Sequence, residues 1–124
     1  MIIVGDIGNT ETKICLIGSN KMIIKRVNLS TKKINPTSLK KSLSKLKLDN
    51  KKILKCLFCS VVPASFNIIK KFFTKIHNVK CQELKNLNLN QLIKIKVNYA
   101  QIGSDRLANA ISVINNKDNF IILD

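Results

Sequence analysis

Tryptophan is absent from this sequence, tyrosine occurs once, and arginine is rare against lysine. Proteins that read nucleic acid stack bases on aromatic rings and fork arginines onto base edges. A chain with net charge +15 and almost none of those groups is not expected to bind nucleic acid specifically. Its lysines are scattered or paired (Lys40-Lys41, Lys51-Lys52, Lys70-Lys71) and read as solvated faces, leaving weak, non-specific polyanion binding. Lys, Asn and Ile are abundant together, as a compositional bias of the source would produce. Long apolar runs are also missing: none approaches the ~18 residues of a membrane span. No basic segment precedes the first apolar run, and Asp6 interrupts it, so a signal peptide is not expected. A cytoplasmic location and no membrane partner follow. The one histidine, His77, sits where a helix should end and suits a C-terminal cap. Cysteine is present four times, but Cys56 and Cys59 lie three apart within a strand-like run. Their thiols should face opposite ways, which disfavours zinc or a disulfide and favours reduced, buried thiols.

What is present is enough for one ordinary domain. The chain has 124 residues and is 45% hydrophobic, and a domain of that size buries roughly two-thirds of its unfolded surface. Met1–Ile7, Thr12–Ile17 and Met22–Leu29 are β-type runs divided by short polar turns, an opening antiparallel meander. After a loop, Pro36 and Thr37 mark a helix with Leu39, Leu43 and Leu46 on one face. Ile53–Val62 is too continuously apolar for an exposed edge strand. Pro63 then introduces a helix with Phe66, Ile69, Phe72 or Phe73, and Ile76 at helical spacing. Val79–Leu84 is a further strand candidate. Ile93, Ile95 and Val97 alternate with Lys94 and Lys96 as in a half-exposed strand, and a helix is expected from about Ser104 to Asn115. Phe120–Asp124 is a final β run whose apolar residues require neighbours on both sides, so the sequence reads as the first half of something larger.

Two segments have chemical character. Asp6-Ile7-Gly8-Asn9-Thr10-Glu11-Thr12-Lys13 is a polar turn between two strands. Such a turn can hold a metal-bound polyphosphate. Gly8 allows close backbone approach, Asn9 and Thr10 offer donors, Asp6 can face a cation, and Lys13 supplies a point charge. A plain hairpin would use the same turn residues. The second segment is Gly103-Ser104-Asp105-Arg106, leading into Leu107-Ala108-Asn109-Ala110. Ser104 suits an N-cap, and Asp105 falls in the first turn, where negative charge is favoured. An acid beside an arginine there can receive a hydroxyl proton and hold an anionic substrate tail. Ordinary capping would look the same.

In combination these segments are far more specific. D-I-G-N-T-x-T-K, then Ser60-Val61-Val62-Pro63, G-S-D-R-L-A-N-A and I-I-L-D resemble, in order and spacing, the type III pantothenate kinases, from Met1 to Asp124. The resemblance implies an α/β fold: a ribonuclease H-like domain of the actin and sugar-kinase superfamily, with a mixed sheet, opening antiparallel strands and flanking helices. Residues 1–116 would form this domain, and residues 117–124 the first strand of a second, otherwise missing one. It implies ATP-dependent phosphorylation of pantothenate to 4'-phosphopantothenate, the first step of coenzyme A biosynthesis, by a protein that is usually a homodimer. Asp6 to Lys13 would bind the ATP phosphates, with Asp6 near Mg2+. Gly103, Ser104, Asp105 and Arg106 would line the pantothenate site, with Asp105 as catalytic base. Asp124 would help bind a monovalent cation, K+ or NH4+. Many members have a tyrosine before G-x-D-R; Val97 aligns there, and Tyr99 is a secondary candidate. A chain ending at Asp124 is expected to be inactive alone. Another small-molecule kinase of the superfamily, or a non-catalytic or regulatory relative serving as a binding module, is the alternative.

Overall fold

The structure is a computed structural model that describes residues 1–48, 52–116 and 119–122. Alternation of side chains builds the sheet. Strand β1 (Ile2–Ile7) buries Ile3 and Ile7, β2 (Glu11–Ile17) buries Thr12, Ile14 and Leu16, and β3 (Ile23–Ser30) buries Val27 and Leu29. These three strands are antiparallel neighbours. On its other side β1 pairs in parallel with β4 (Lys55–Ser60), and β4 in parallel with β5 (Cys81–Glu83). The resulting order, β3-β2-β1-β4-β5, is a mixed five-stranded sheet with the opening antiparallel strands that the sequence predicts.

Two helices close one face. Helix α1 (Pro36–Leu43) starts at a reciprocal cap: the Asn35 side chain accepts from the Ser38 amide at 2.9 Å, and Ser38 Oγ accepts from the Asn35 amide at 3.0 Å. Helix α2 (Pro63–His77) has proline in its first turn and ends at Asn78, whose left-handed φ of 51° stops it. The Phe58 ring lies over Gly5 and meets Phe66 and Phe73 at centroid distances of 6.3 and 6.2 Å, tying α2 to the sheet. Cys56 belongs to this core and pairs across the strands with Cys81, whereas Cys59 packs in the cluster on the other face. The hydrogen bond between these neighbours, with burial adding to it, holds the Cys56 thiol in its neutral form, with its pKa raised.

The second face is covered over β4 and β5 by α3 (Ser104–Ser112) and the segment before it, around Leu84, Leu89 and Leu107. Here the structure departs from sequence expectation. Residues 93–97 form no strand; Ile93 and Ile95 instead pack against the Leu89–Leu107 cluster, so burial without a ladder explains their alternation. Ile76 keeps helical spacing but is 60% exposed at the rim of the groove between α1 and α2. Helix α3 stops short of Asn115. Residues 119–122 carry no strand, with Ile121 91% exposed, and Leu123 and Asp124 lie outside the described residues.

Candidate active site

Parallel strands present their carboxyl ends together, the usual place for a ligand in such sheets. Asp6 stands near the end of β1 with Lys13 opposite it on β2 and Cys59 beside it on β4. Paired residues of neighbouring strands point to one face, so Asp6, Lys13 and Cys59 share the face away from α1 and α2. At the end of β4, the Val61 amide donates to Ile7 O at 3.1 Å and the Val62 amide to Ser60 Oγ at 3.1 Å, closing the Ser-Val-Val-Pro turn beside the end of β1.

The turn after β1 is tightly bonded. The Gly8 amide donates to Glu11 O at 3.0 Å, and a β-carbon on Gly8 would stand 3.2 Å from that oxygen. Gly8 is therefore a close-approach glycine, since no glycine among the described residues has positive φ. Thr31, at the end of β3, holds the turn from outside. Its amide donates to Thr10 O at 2.9 Å, its hydroxyl donates to Gly8 O at 2.8 Å, and that hydroxyl also meets Thr12 Oγ1 at 2.9 Å. The sequence offered no signal for Thr31, because its partners depend on strand register. The same contacts qualify the predicted loop. The side chains of Ile7 and Thr12 are fully buried on the helix side, on the opposite face from Asp6 and Lys13. Asn9, Thr10 and Glu11 are exposed, and Lys13 Nζ lies 3.9 Å from Glu11 Oε2 with both side chains about half exposed, 49% and 46%.

The second segment lies on the same face of the sheet, carried by the packing of α3 on β4. Gly103, not Ser104, is the N-cap of α3; Ser104 is in the first turn, 1% exposed, with its hydroxyl donating to Glu83 at the end of β5. Asp105 Oδ1 accepts from the Arg106 amide at 2.9 Å and folds back over Gly103, where any β-carbon would collide with it. Arg106 is exposed. Tyr99 donates its hydroxyl to Lys85 O at 2.7 Å, so its one proton is committed to the main chain. Val97, on the loop ahead of it, is 68% exposed.

Cys59 sits among these groups, beside Asp6 and on the strand against which α3 packs. Burial pushes its thiol up to about 11, and the carboxylates of Asp6, Glu83 and Asp105 add to the rise, while a hydrogen bond with Ser104 opposes it. Acids from β1, β5 and α3 thus bear on one thiol. Asp6 offers the oxygen donor that Mg2+ prefers. Among the described residues no three His, Cys, Asp or Glu side chains are placed to hold a metal unaided. A divalent ion at Asp6 would therefore take its remaining ligands from phosphate and water. The proposed monovalent-cation ligand, Asp124, lies outside the described residues.

Comparison with known proteins gives consistent results. The sequence model of the family described as type III pantothenate kinase matches residues 2–124. A type III pantothenate kinase from Pelagibacter ubique is 75% identical over 124 residues, covering 100% of this chain and 50% of that protein. Those of Desulforapulum autotrophicum and Ehrlichia canis are 29% and 30% identical, over 100% and 98% of this chain and 50% and 49% of their own lengths. The chain thus spans about half the length of the curated relatives it matches.

Proposed function

This chain belongs to the type III pantothenate kinase family, and we propose from that membership that it carries the phosphate-gripping turn and the acceptor base of an ATP-dependent pantothenate kinase. The observation that supports the proposal is that Asp6 stands beside Cys59 at the end of β1 while Asp105 opens the helix that packs on β4, the strand that carries Cys59. Phosphoryl transfer asks a protein mainly to align the reactants and neutralise charge. The Asp6–Lys13 turn would hold the ATP phosphates, with Lys13 on an anionic oxygen and Asp6 toward Mg2+, which when bound offsets phosphate charge. Asp105 would orient the terminal hydroxyl of pantothenate, with Arg106 near its carboxylate. As the hydroxyl oxygen bonds to the γ-phosphorus, the bond to the bridging oxygen breaks, ADP leaves, and the hydroxyl proton passes to Asp105. On this proposal residues 1–116 form the first ribonuclease H-like domain and residues 117–124 lead into a second. The working protein is a cytoplasmic homodimer that also needs K+ or NH4+.

The test is to join this chain to the second half of the Pelagibacter ubique relative and assay ATP-dependent phosphorylation of pantothenate. Asp105→Asn should lower kcat by roughly two to four orders of magnitude; undiminished turnover removes Asp105 from the role. Lys13→Ala should mainly raise KM for ATP, and unchanged ATP kinetics would count against the turn. Transfer to sugars or short carboxylic acids in place of pantothenate would point to another kinase of the superfamily. No transfer to any acceptor would leave a binding module.

A further inference from the structure

We propose that Glu83, the last residue of β5, and Lys85, in the turn that follows it, are positioning residues that clamp the entrance of α3 and so set where Asp105 stands. Lys85 Nζ donates to two main-chain carbonyls, Ala100 O at 2.9 Å and Ile102 O at 2.7 Å. Tyr99 returns the bond by donating to Lys85 O at 2.7 Å, and the ammonium lies 5.8 Å from the Tyr99 ring centroid, within cation–π reach. Two residues before Lys85, the Glu83 carboxylate accepts the hydroxyl of Ser104, which at 1% exposure has no water to turn to. The stretch Tyr99–Ser104, which ends one residue before Asp105, is thus pinned at one end to the 84–86 turn and at the other to the last residue of β5.

The chemistry suits a clamp better than a solvated surface. Most lysines of this chain are exposed, whereas Lys85 is half-buried with its charge spent on carbonyl oxygens. An ammonium has three donors, and two of them satisfy carbonyls that lie just ahead of the helix. Because Asp105 bends back over Gly103, a shift of this stretch would move the carboxylate as well. Misplacement of a reacting group by about 1 Å can cost on the order of 100-fold in rate.

The inference rests on Asp105 facing the acceptor hydroxyl, and the experiment separates the two. Amide hydrogen exchange of the full chain is compared for Lys85→Met, Lys85→Arg and Glu83→Gln. Lys85→Met should speed exchange of the Leu107 amide, which bonds to Gly103 O at 3.3 Å, by roughly tenfold. The β2–β3 hairpin should keep wild-type rates, and arginine, which also has donors to spare, should restore protection at Leu107. In the joined protein Lys85→Met should lower kcat with pantothenate by roughly tenfold and leave KM for ATP unchanged. Wild-type exchange in both Lys85→Met and Glu83→Gln overturns the clamp. Faster exchange with unaltered kcat overturns the positioning role. Full turnover by Asp105→Asn overturns the acceptor-base assignment and the clamp's catalytic purpose together, while the exchange data still decide whether the clamp exists.

Discussion

Thr31 has a single proton, and it goes to Gly8 O, which can only accept. Thr12 must therefore donate to Thr31, so the hydroxyls run in one direction, Thr12 to Thr31 to Gly8. Thr31→Val keeps the shape but strands a buried donor and a carbonyl acceptor, and is expected to cost about 1–3 kcal/mol by denaturant unfolding. Thr31→Ser, which keeps the hydroxyl, should cost less. Equal loss in both variants would show that the methyl group matters and the relay does not. Cys59 allows a second residue-scale prediction. Its pKa rises from 9.0 to about 11 on folding, so the unfolded chain loses this proton first as pH increases. Stability from this thiol is present in full below pH 9 and is lost between about 9 and 11. Cys59→Ala should flatten the alkaline fall in melting temperature, and an unchanged slope would place the effect elsewhere. Neither Thr31 nor the environment of Cys59 was legible in the sequence. A threonine in a polar stretch looks like loop, and its partners are 19 and 23 residues away, reached only through the register of β2 and β3.

Elements whose signals are local were readable. The prolines at 36 and 63 mark the starts of α1 and α2, and β-type runs bounded by polar turns mark β1 and β2. The run at 93–97 misled because alternation records burial and not hydrogen bonding: Ile93 and Ile95 gain burial from a neighbouring cluster with no strand alongside among the described residues. The candidate site was legible as two separate motifs; their meeting required the parallel pairing of β1 with β4 and the packing of α3 on β4. At this scale two substitutions separate scaffold from chemistry. Phe58→Ala, which removes a fully buried ring joining β4 to α2, should destabilise the fold by about 3–5 kcal/mol. Gly103→Ala meets a backbone with φ of −65°, where alanine is unstrained, but the added carbon collides with the Asp105 carboxylate. Its melting temperature should stay close to wild type while kcat in the joined protein falls by roughly 10- to 100-fold. Unchanged kcat would show that the carboxylate can swing aside without consequence.

The whole molecule carries its charge away from the candidate site as well as near it. Lys40, Lys71 and Lys75 line a groove of about 630 Å3 between α1 and α2, on the opposite face of the sheet from Asp6. Heparin should therefore bind weakly, with affinity falling steeply as salt rises, and duplex DNA should show no sequence preference. Tight, salt-resistant binding to one DNA sequence would reverse that conclusion. No helix among the described residues is long and apolar enough to cross a membrane. The sheet order also bears on how the chain is made. Strand β1 finds β2 as soon as the first hairpin emerges, but its other partner, β4, begins only at Lys55. At ribosomal speeds of about 5–20 residues per second, the Ile2–Ile7 margin waits on the order of seconds for that partner. Through that interval a nascent three-stranded meander offers an open, largely aliphatic border to other nascent chains. Slowing translation between codons 30 and 55 should therefore lower soluble yield, and speeding it should raise it.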